Sequence, residues 1–296
     1  MSSLATGYAR PAHLGEALHL LAQPGARPMA GGTDLAGQLD RGLTSASVVV
    51  DLQALGLDAI TAAGDGVRLG GTATLTAVAS AAELDRFACV RDAASAAASP
   101  LLRNQGTVGG NLCQHTRCWY YRGLEWTCWL AGGDTCYAQI GEHPKHNLQA
   151  GDCISAHPSD LAPALLACDA SVHLQSAHGE RELRLAHLYR RPTEQDRSLV
   201  DLDIGEIVTA VELPAAPDAS VYLRVGERRA FSFPLVGVAV ARFGGEVRVA
   251  AAGVANVPLE LDPDDPLAEL PGNPQSAWKR TVVETLVARG REAVGG

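Results

Sequence analysis

Five of the seven cysteines, Cys113, Cys118, Cys128, Cys136 and Cys153, fall within 41 residues, and only Cys89 and Cys168 lie outside that window. An odd number argues against a fully paired secreted disulfide framework. Counted from Cys118 the spacing is C-x9-C-x7-C-x16-C. Structural zinc sites usually bring ligands in as close pairs, and from Cys118 onward no such pair occurs. Thiolates this widely spaced suit a cubane iron–sulfur cluster, whose size accepts ligands arriving from separate directions. Trp119, Trp126 and Trp129, three of the four tryptophans, share the window with Tyr120, Tyr121 and Tyr137 and would shield such a group from water. Zinc stands as a second reading, and buried inert thiols as a third. His115, His143, His146 and His157 are expected to make surface hydrogen bonds rather than replace a thiolate.

Two glycine turns offer a different chemistry. Ala30-Gly31-Gly32-Thr33 places two residues without Cβ before a predicted helix, where backbone amides and the positive dipole end suit a phosphate. Thr107-Val108-Gly109-Gly110-Asn111 is a second candidate. Neither is a GxGxxG fingerprint, and no GxxxxGK loop occurs, so the common dinucleotide and P-loop readings lose support. Singly, each turn reads as an ordinary loop. Together they could hold the two phosphates of a pyrophosphate. No Ser/His/Asp or Cys/His arrangement emerges, and no catalytic side chain is assigned.

Positioning these groups requires a sizeable scaffold. The chain has 296 residues, 47% of them apolar and 19% charged, enough for a real core. Its net charge of −9 disfavours nucleic acid as a partner. No stretch is apolar enough for a membrane span, and no export signal is read at the start. Helical spacing marks residues 14–21. A strand through Met29 leads into the first glycine turn, where Thr33 is expected to cap a helix through Leu39. Strands are predicted at 47–52 and in hairpins around 64–66 and 177–179. Residues 74–98 read as mostly helical, 113–153 as an irregular loop, and Ser159 as the cap of a further helix. Strands dominate 199–257, and an amphipathic helix covers 277–289. Helices first and antiparallel strands later give an α+β chain with a boundary near residue 175.

Four segments in order carry a resemblance: Ala30-Gly31-Gly32-Thr33-Asp34-Leu35, Thr107-Val108-Gly109-Gly110-Asn111, His157-Pro158-Ser159-Asp160-Leu161-Ala162-Pro163-Ala164-Leu165, and Gly205-Glu206-Ile207-Val208-Thr209-Ala210-Val211-Glu212-Leu213-Pro214. Together they resemble the FAD-binding medium subunit of the xanthine dehydrogenase family of molybdenum hydroxylases. The resemblance implies a two-subdomain FAD-binding domain of the vanillyl-alcohol-oxidase (PCMH) type over 1–175. A C-terminal domain with a small antiparallel sheet and helices would follow over 176–296, shortened after Val254. It also implies that Met29, Ala30, Gly31, Gly32, Thr33, Asp34, Leu35 and Ala36, with Thr107, Val108, Gly109, Gly110 and Asn111, surround the FAD diphosphate. Asp160 would contact the cofactor, Val208 would lie near the isoalloxazine, and Arg224 would stand where the family often has Lys.

The cysteine window is similar to the insertion of a subgroup whose flavin subunit carries an additional 4Fe-4S cluster, as in periplasmic aldehyde oxidoreductases and 4-hydroxybenzoyl-CoA reductases. That likeness implies Cys118, Cys128, Cys136 and Cys153 as ligands, with Cys113 in reserve. The expected function is an electron-transfer subunit working with a small 2Fe-2S subunit and a large molybdopterin subunit. Reversed electron flow in a reductive enzyme and a noncatalytic zinc scaffold are the alternatives. The expected location is cytoplasmic, or periplasmic if a signal-bearing partner carries the chain across.

Overall fold

The computed structural model describes residues 5–143 and 145–295. The chain begins with a small parallel sheet, order β1-β3-β2, formed by β1 (Tyr8–Ala9), β2 (Ala26–Met29) and β3 (Val48–Asp51). Helix α1 (Leu14–Leu21) bridges β1 and β2. It buries Ala17, Leu18 and Leu21 against Val50 and Leu52, so its apolar stripe has one face to cover. The sequence reading left the pairing at this end open, and the structure makes it parallel. The run Val48-Val49-Val50 is the central strand and needs a neighbour on both sides.

A five-stranded antiparallel sheet comes next, order β4-β5-β8-β6-β7, from β4 (Ile60–Ala63), β5 (Gly66–Gly70), β6 (Ser171–Ser176), β7 (Gly179–Arg184) and β8 (Ile207–Leu213). Residue 175, where a boundary was expected, lies within β6. The hairpin β4-β5 from early in the chain joins β6 and β7 through β8, with Leu69 opposite Val211 and Val172 opposite Val211 on its other side. Helix α2 (Leu35–Asp40) precedes this sheet in sequence. The alanine-rich stretch is broken into α3 (Leu75–Ser80) and α4 (Ala88–Ala96), because Leu84 and Phe87 between them drop fully into the core. Short helices α5 (Pro100–Arg103) and α6 (Val108–Leu112) lead to the cysteine loop, which contains α7 (Trp119–Arg122) and α8 (Tyr137–Ile140).

Helix α9 (Leu161–Ala167) is wholly buried. Ser159 Oγ accepts the Ala162 amide 2.9 Å away, supplying the expected cap. An antiparallel sheet, order β12-β11-β10-β9, closes the chain: β9 (Ala219–Gly226), β10 (Pro234–Phe243), β11 (Glu246–Ala252) and β12 (Leu259–Leu261). The C-terminal helix α10 (Trp278–Ala293) packs on β9 and β10. Gly290 lets it approach closely, since a Cβ there would lie 2.4 Å from Val240 Cγ2. One continuous core runs from Val67 to Val294 and joins α4 and α9 to both antiparallel sheets.

Candidate functional site

The first glycine turn follows β2 and enters α2. A Cβ on Gly31 would lie 1.7 Å from the Gln105 carbonyl oxygen, so only glycine allows the turn to pack against the approach to the second one. Gly32 has φ +68°, in the region glycine favours. Among the described residues the amides of Gly31, Gly32 and Thr33 donate to no protein acceptor. Asp34, not Thr33, is the N-cap residue of α2. Its side chain turns outward to a different task. The Asp34 carboxylate accepts Arg117 Nη1 at 2.8 Å, Arg122 Nη2 at 2.9 Å and the His115 amide at 3.0 Å. Burial alone would raise its pKa, and the two arginines more than offset that and hold it below the ordinary carboxylate value. Asp34 therefore ties the first turn to the cysteine loop. Sequence reasoning missed Arg117 and Arg122 in this role because no local pattern links them to residue 34.

The second turn differs from the first. Thr107 caps α6, its Oγ1 accepting the Gly110 amide, while the Val108 and Gly109 amides go to Ala73 and Gly71. Its amides are already engaged, so what it offers a ligand is bare backbone at the exposed Gly110. A Cβ on Gly109 would lie 3.3 Å from Val208 Cβ, which places Val208 of β8 as the wall behind this turn. Asn111 Oδ1 accepts Ser159 Oγ at 2.5 Å, joining the turn to the start of α9.

There Asp160 is 2% exposed. It accepts Tyr222 Oη at 2.7 Å, and Arg224 Nη1 lies 3.3 Å away. Burial pushes its carboxyl up to about 6, with Arg224 and Tyr222 pulling the other way. Arg224 also donates to the Ala96 and Ser232 carbonyls, so one planar fork fixes three segments, which a Lys ammonium could not do in the same geometry. Thus the glycine turns, Val208, Asp160 and Arg224, dispersed over 196 residues (from 29 to 224), belong to one connected region.

In the cysteine loop, Cys118, Cys128, Cys136 and Cys153 line a single small cavity with Tyr121 and Trp129. Cys113 does not line it. Burial pushes the Cys113 thiol up to about 12, and it packs instead against the main core. Three of the four lining cysteines occupy the N-cap of a one-turn helix: Cys118 before α7, Cys128 before the 3₁₀ turn 129–131, Cys136 before α8. Each of the three stands at the start of its turn without its side chain accepting a capping hydrogen bond from it. The sequence carried a signal for this in Cys118-Trp119, Cys128-Trp129 and Cys136-Tyr137, a cysteine followed each time by an aromatic residue opening a helical turn.

The thiols feel one another electrostatically. Burial pushes Cys118 up to about 11, and the charges of Cys128 and Cys136 add to that. A hydrogen bond with Cys153 lowers Cys136 to about 6, and the same bond with burial raises Cys153. Arg197 donates to the Trp129 and Gly133 carbonyls and lies 4.5 Å from the Trp129 ring centre, which pins the turn carrying Cys128. His143, His146 and His157 are buried rather than at the surface. The neutral form suits them there, and burial lowers their pKa values to about 4, 4 and 3. Both ring nitrogens of His143 lack a partner and it lines a cavity of about 280 Å³ beside Arg117 and Cys118.

Among the described residues no three His, Cys, Asp or Glu side chains come together as a site for a single metal ion. Nor is any helix among the described residues long and apolar enough to cross a membrane.

Paired glycine turns between a parallel and an antiparallel sheet, with a separate C-terminal sheet, are the architecture of a flavin-binding subunit. A family model for the FAD binding domain in molybdopterin dehydrogenase matches residues 4–216, and the chain belongs to this family, the FAD-binding medium subunits of the xanthine dehydrogenase and carbon monoxide dehydrogenase kind. Among its relatives, the aldehyde oxidoreductase FAD-binding subunit PaoB of Escherichia coli (strain K12) is 35% identical over 274 residues, 90% of this chain and 84% of that one. The xanthine dehydrogenase FAD-binding subunit of Escherichia coli O157:H7 is 27% identical over 78% of this chain and 66% of its own. The fold matches a chain of carbon monoxide dehydrogenase from Hydrogenophaga pseudoflava with a TM-score of 0.75 at 18% identity, covering 99% of this chain and 98% of that one.

Proposed function

We propose that this chain is the FAD-carrying electron-transfer subunit of a heteromeric molybdenum hydroxylase of the aldehyde oxidoreductase kind, and that Cys118, Cys128, Cys136 and Cys153 hold a 4Fe-4S cluster in it. The observation that carries the cluster is the single small cavity lined by these four thiols. Burial holds Cys118, Cys128 and Cys153 against ionising, and a cationic iron group would favour their thiolates. Four thiols lining one cavity suit a group that takes one ligand from each of four directions.

Toward FAD, Gly31, Gly32 and Thr33 offer unengaged amides for a phosphate, the exposed Gly110 lets it approach the backbone, and Val208 backs the second turn. Asp160 and Arg224 supply hydrogen-bonding groups to the rest of the cofactor. When bound, FAD exchanges electrons singly or in pairs, and an iron–sulfur cluster passes them singly. The protein's part is to hold both groups still and dry, and no side chain is required as acid, base or nucleophile. The partners in this reading are a small 2Fe-2S subunit and a large molybdopterin subunit. The FAD-binding portion would extend through β8, since that strand completes its sheet, and 219–294 would form the C-terminal portion. The location in this reading is cytoplasmic, or periplasmic through co-export with a partner.

The test is copurification of tagged chain with its partners, followed by iron, sulfide and flavin analysis. About four irons beyond those of the small subunit, and one FAD per copy of this chain, are expected. A colourless protein with stoichiometric zinc would overturn the reading. In the complex, Cys136→Ala should abolish the extra iron and its electron paramagnetic resonance signal while the flavin remains.

A further inference from the structure

The stretch from Asn273 to Lys279 looks in sequence like a mere lead into the last helix. In the structure it grips the far arm of the cysteine loop. Gln275 Oε1 accepts the His143 amide at 2.5 Å, and its Nε2 donates to the Gly141 carbonyl at 2.8 Å. Ser276 Oγ donates to the Asn147 carbonyl at 2.6 Å, and the Gly272 amide to the Leu148 carbonyl at 2.9 Å. Lys279 donates from Nζ to the Lys145 carbonyl at 2.8 Å and to Gly253, at the end of β11, at 2.6 Å. Both Ser276 and Lys279 are fully buried.

The arm held in this way leads directly to the thiols. His146 Nε2 lies 3.5 Å from Cys118 Sγ. The Asn147 amide donates to the Ile154 carbonyl and its side chain to the Ser155 carbonyl, so residue 147 is stitched to both residues that follow Cys153. Asn256 completes the stitch by donating to the Cys153 carbonyl at 2.9 Å. An irregular loop lacks ladder partners for its backbone, and each buried carbonyl needs a donor. The described contacts of the Lys279 ammonium are two carbonyls and the Trp278 ring, with no carboxylate, an arrangement that stability alone does not favour.

We propose that Gln275, Ser276 and Lys279 are positioning residues for the four-thiol site, setting the placement of Cys118 and Cys153 through residues 141–143 and 145–148. The inference rests on the cluster reading above. Burial lowers the Lys279 pKa to about 7, in keeping with an amine enclosed for the carbonyls it serves.

The assembled complex carrying Gln275→Ala, Ser276→Ala or Lys279→Met tests this through the cluster rather than through turnover. Each variant is expected to keep its FAD, to shift the reduced cluster's electron paramagnetic resonance signal, and to lose the extra iron to a chelator roughly 10-fold faster than the parent. Gln275→Glu keeps the acceptor for the His143 amide and should restore part of the difference. If Lys279→Met does not assemble, the Gln275 and Ser276 variants decide. Assembled variants with the parent's signal, potential and iron retention would overturn the inference alone. A parent complex without the extra iron would remove the cluster reading and this inference with it.

Discussion

At Gly31 a single methyl group decides whether the two turns can meet. Its Cβ would overlap the Gln105 carbonyl, and that oxygen belongs to backbone, which cannot swing aside. Gly31→Ala is expected to destabilise the chain by roughly 1–3 kcal/mol and to lower the flavin-to-protein ratio of the purified complex. At Asp160 the relevant quantity is protonation. Its carboxyl titrates near 6 in the fold against 3.8 ordinarily, so between these values the folded chain binds more protons than the unfolded one. Its contribution to stability is therefore greatest below about pH 4, declines as pH rises toward 6, and is level above that, a span of at most about 3 kcal/mol. Asp160→Asn should flatten this slope. Thermal midpoints of the flavin-free chain across the same pH range would check it.

Among the elements, the cysteine loop is notable for having so little regular structure and yet a fixed shape. One-turn helices begin at three of the cysteines, and ionic ties replace a sheet ladder. The principal tie is Asp34 with Arg117 and Arg122. Removing the carboxylate would leave two largely covered guanidiniums facing each other, a loss of roughly 3–5 kcal/mol if they stay buried. Asp34→Ala is accordingly expected to loosen both the first glycine turn and the loop. Faster proteolysis between residues 113 and 153, together with weaker flavin retention, would register it. Asp34→Asn, which still accepts hydrogen bonds, should be milder.

Across the whole molecule the core is continuous. α4 and α9 pack between the five-stranded sheet and the C-terminal sheet, and Val238, Val240 and Val283 belong to the same cluster as Leu69 and Val211. The five-stranded sheet and the helices α4 and α9 therefore share their core with the C-terminal sheet, while the parallel sheet has its own with α1. A fragment ending at residue 216 would expose the faces of α4 and α9 that β9, β10 and β11 now cover, and it is expected to aggregate or bind a hydrophobic dye. A soluble fragment with a sharp thermal transition would contradict this.

Residues 14–21, the hairpins at 60–70 and 171–184, and the capped helix after Ser159 were legible because spacing and turn chemistry act between near neighbours. The cysteines announced themselves by density, and Gly31 and Gly109 by the company they keep. Where the first portion of the chain ends was not legible, since β8 recruits a hairpin some 140 residues earlier in the chain and residue 175 falls inside β6. Nor were Arg117, Arg122 and Lys279, whose partners lie far off along the backbone. Local pattern fixes which groups are on hand, through rotation angles and neighbour spacing. Which of them meet, and which thiol is left aside at residue 113, depends on burying one shared apolar surface and finding a donor for every enclosed carbonyl, and both conditions are met only when the chain is packed.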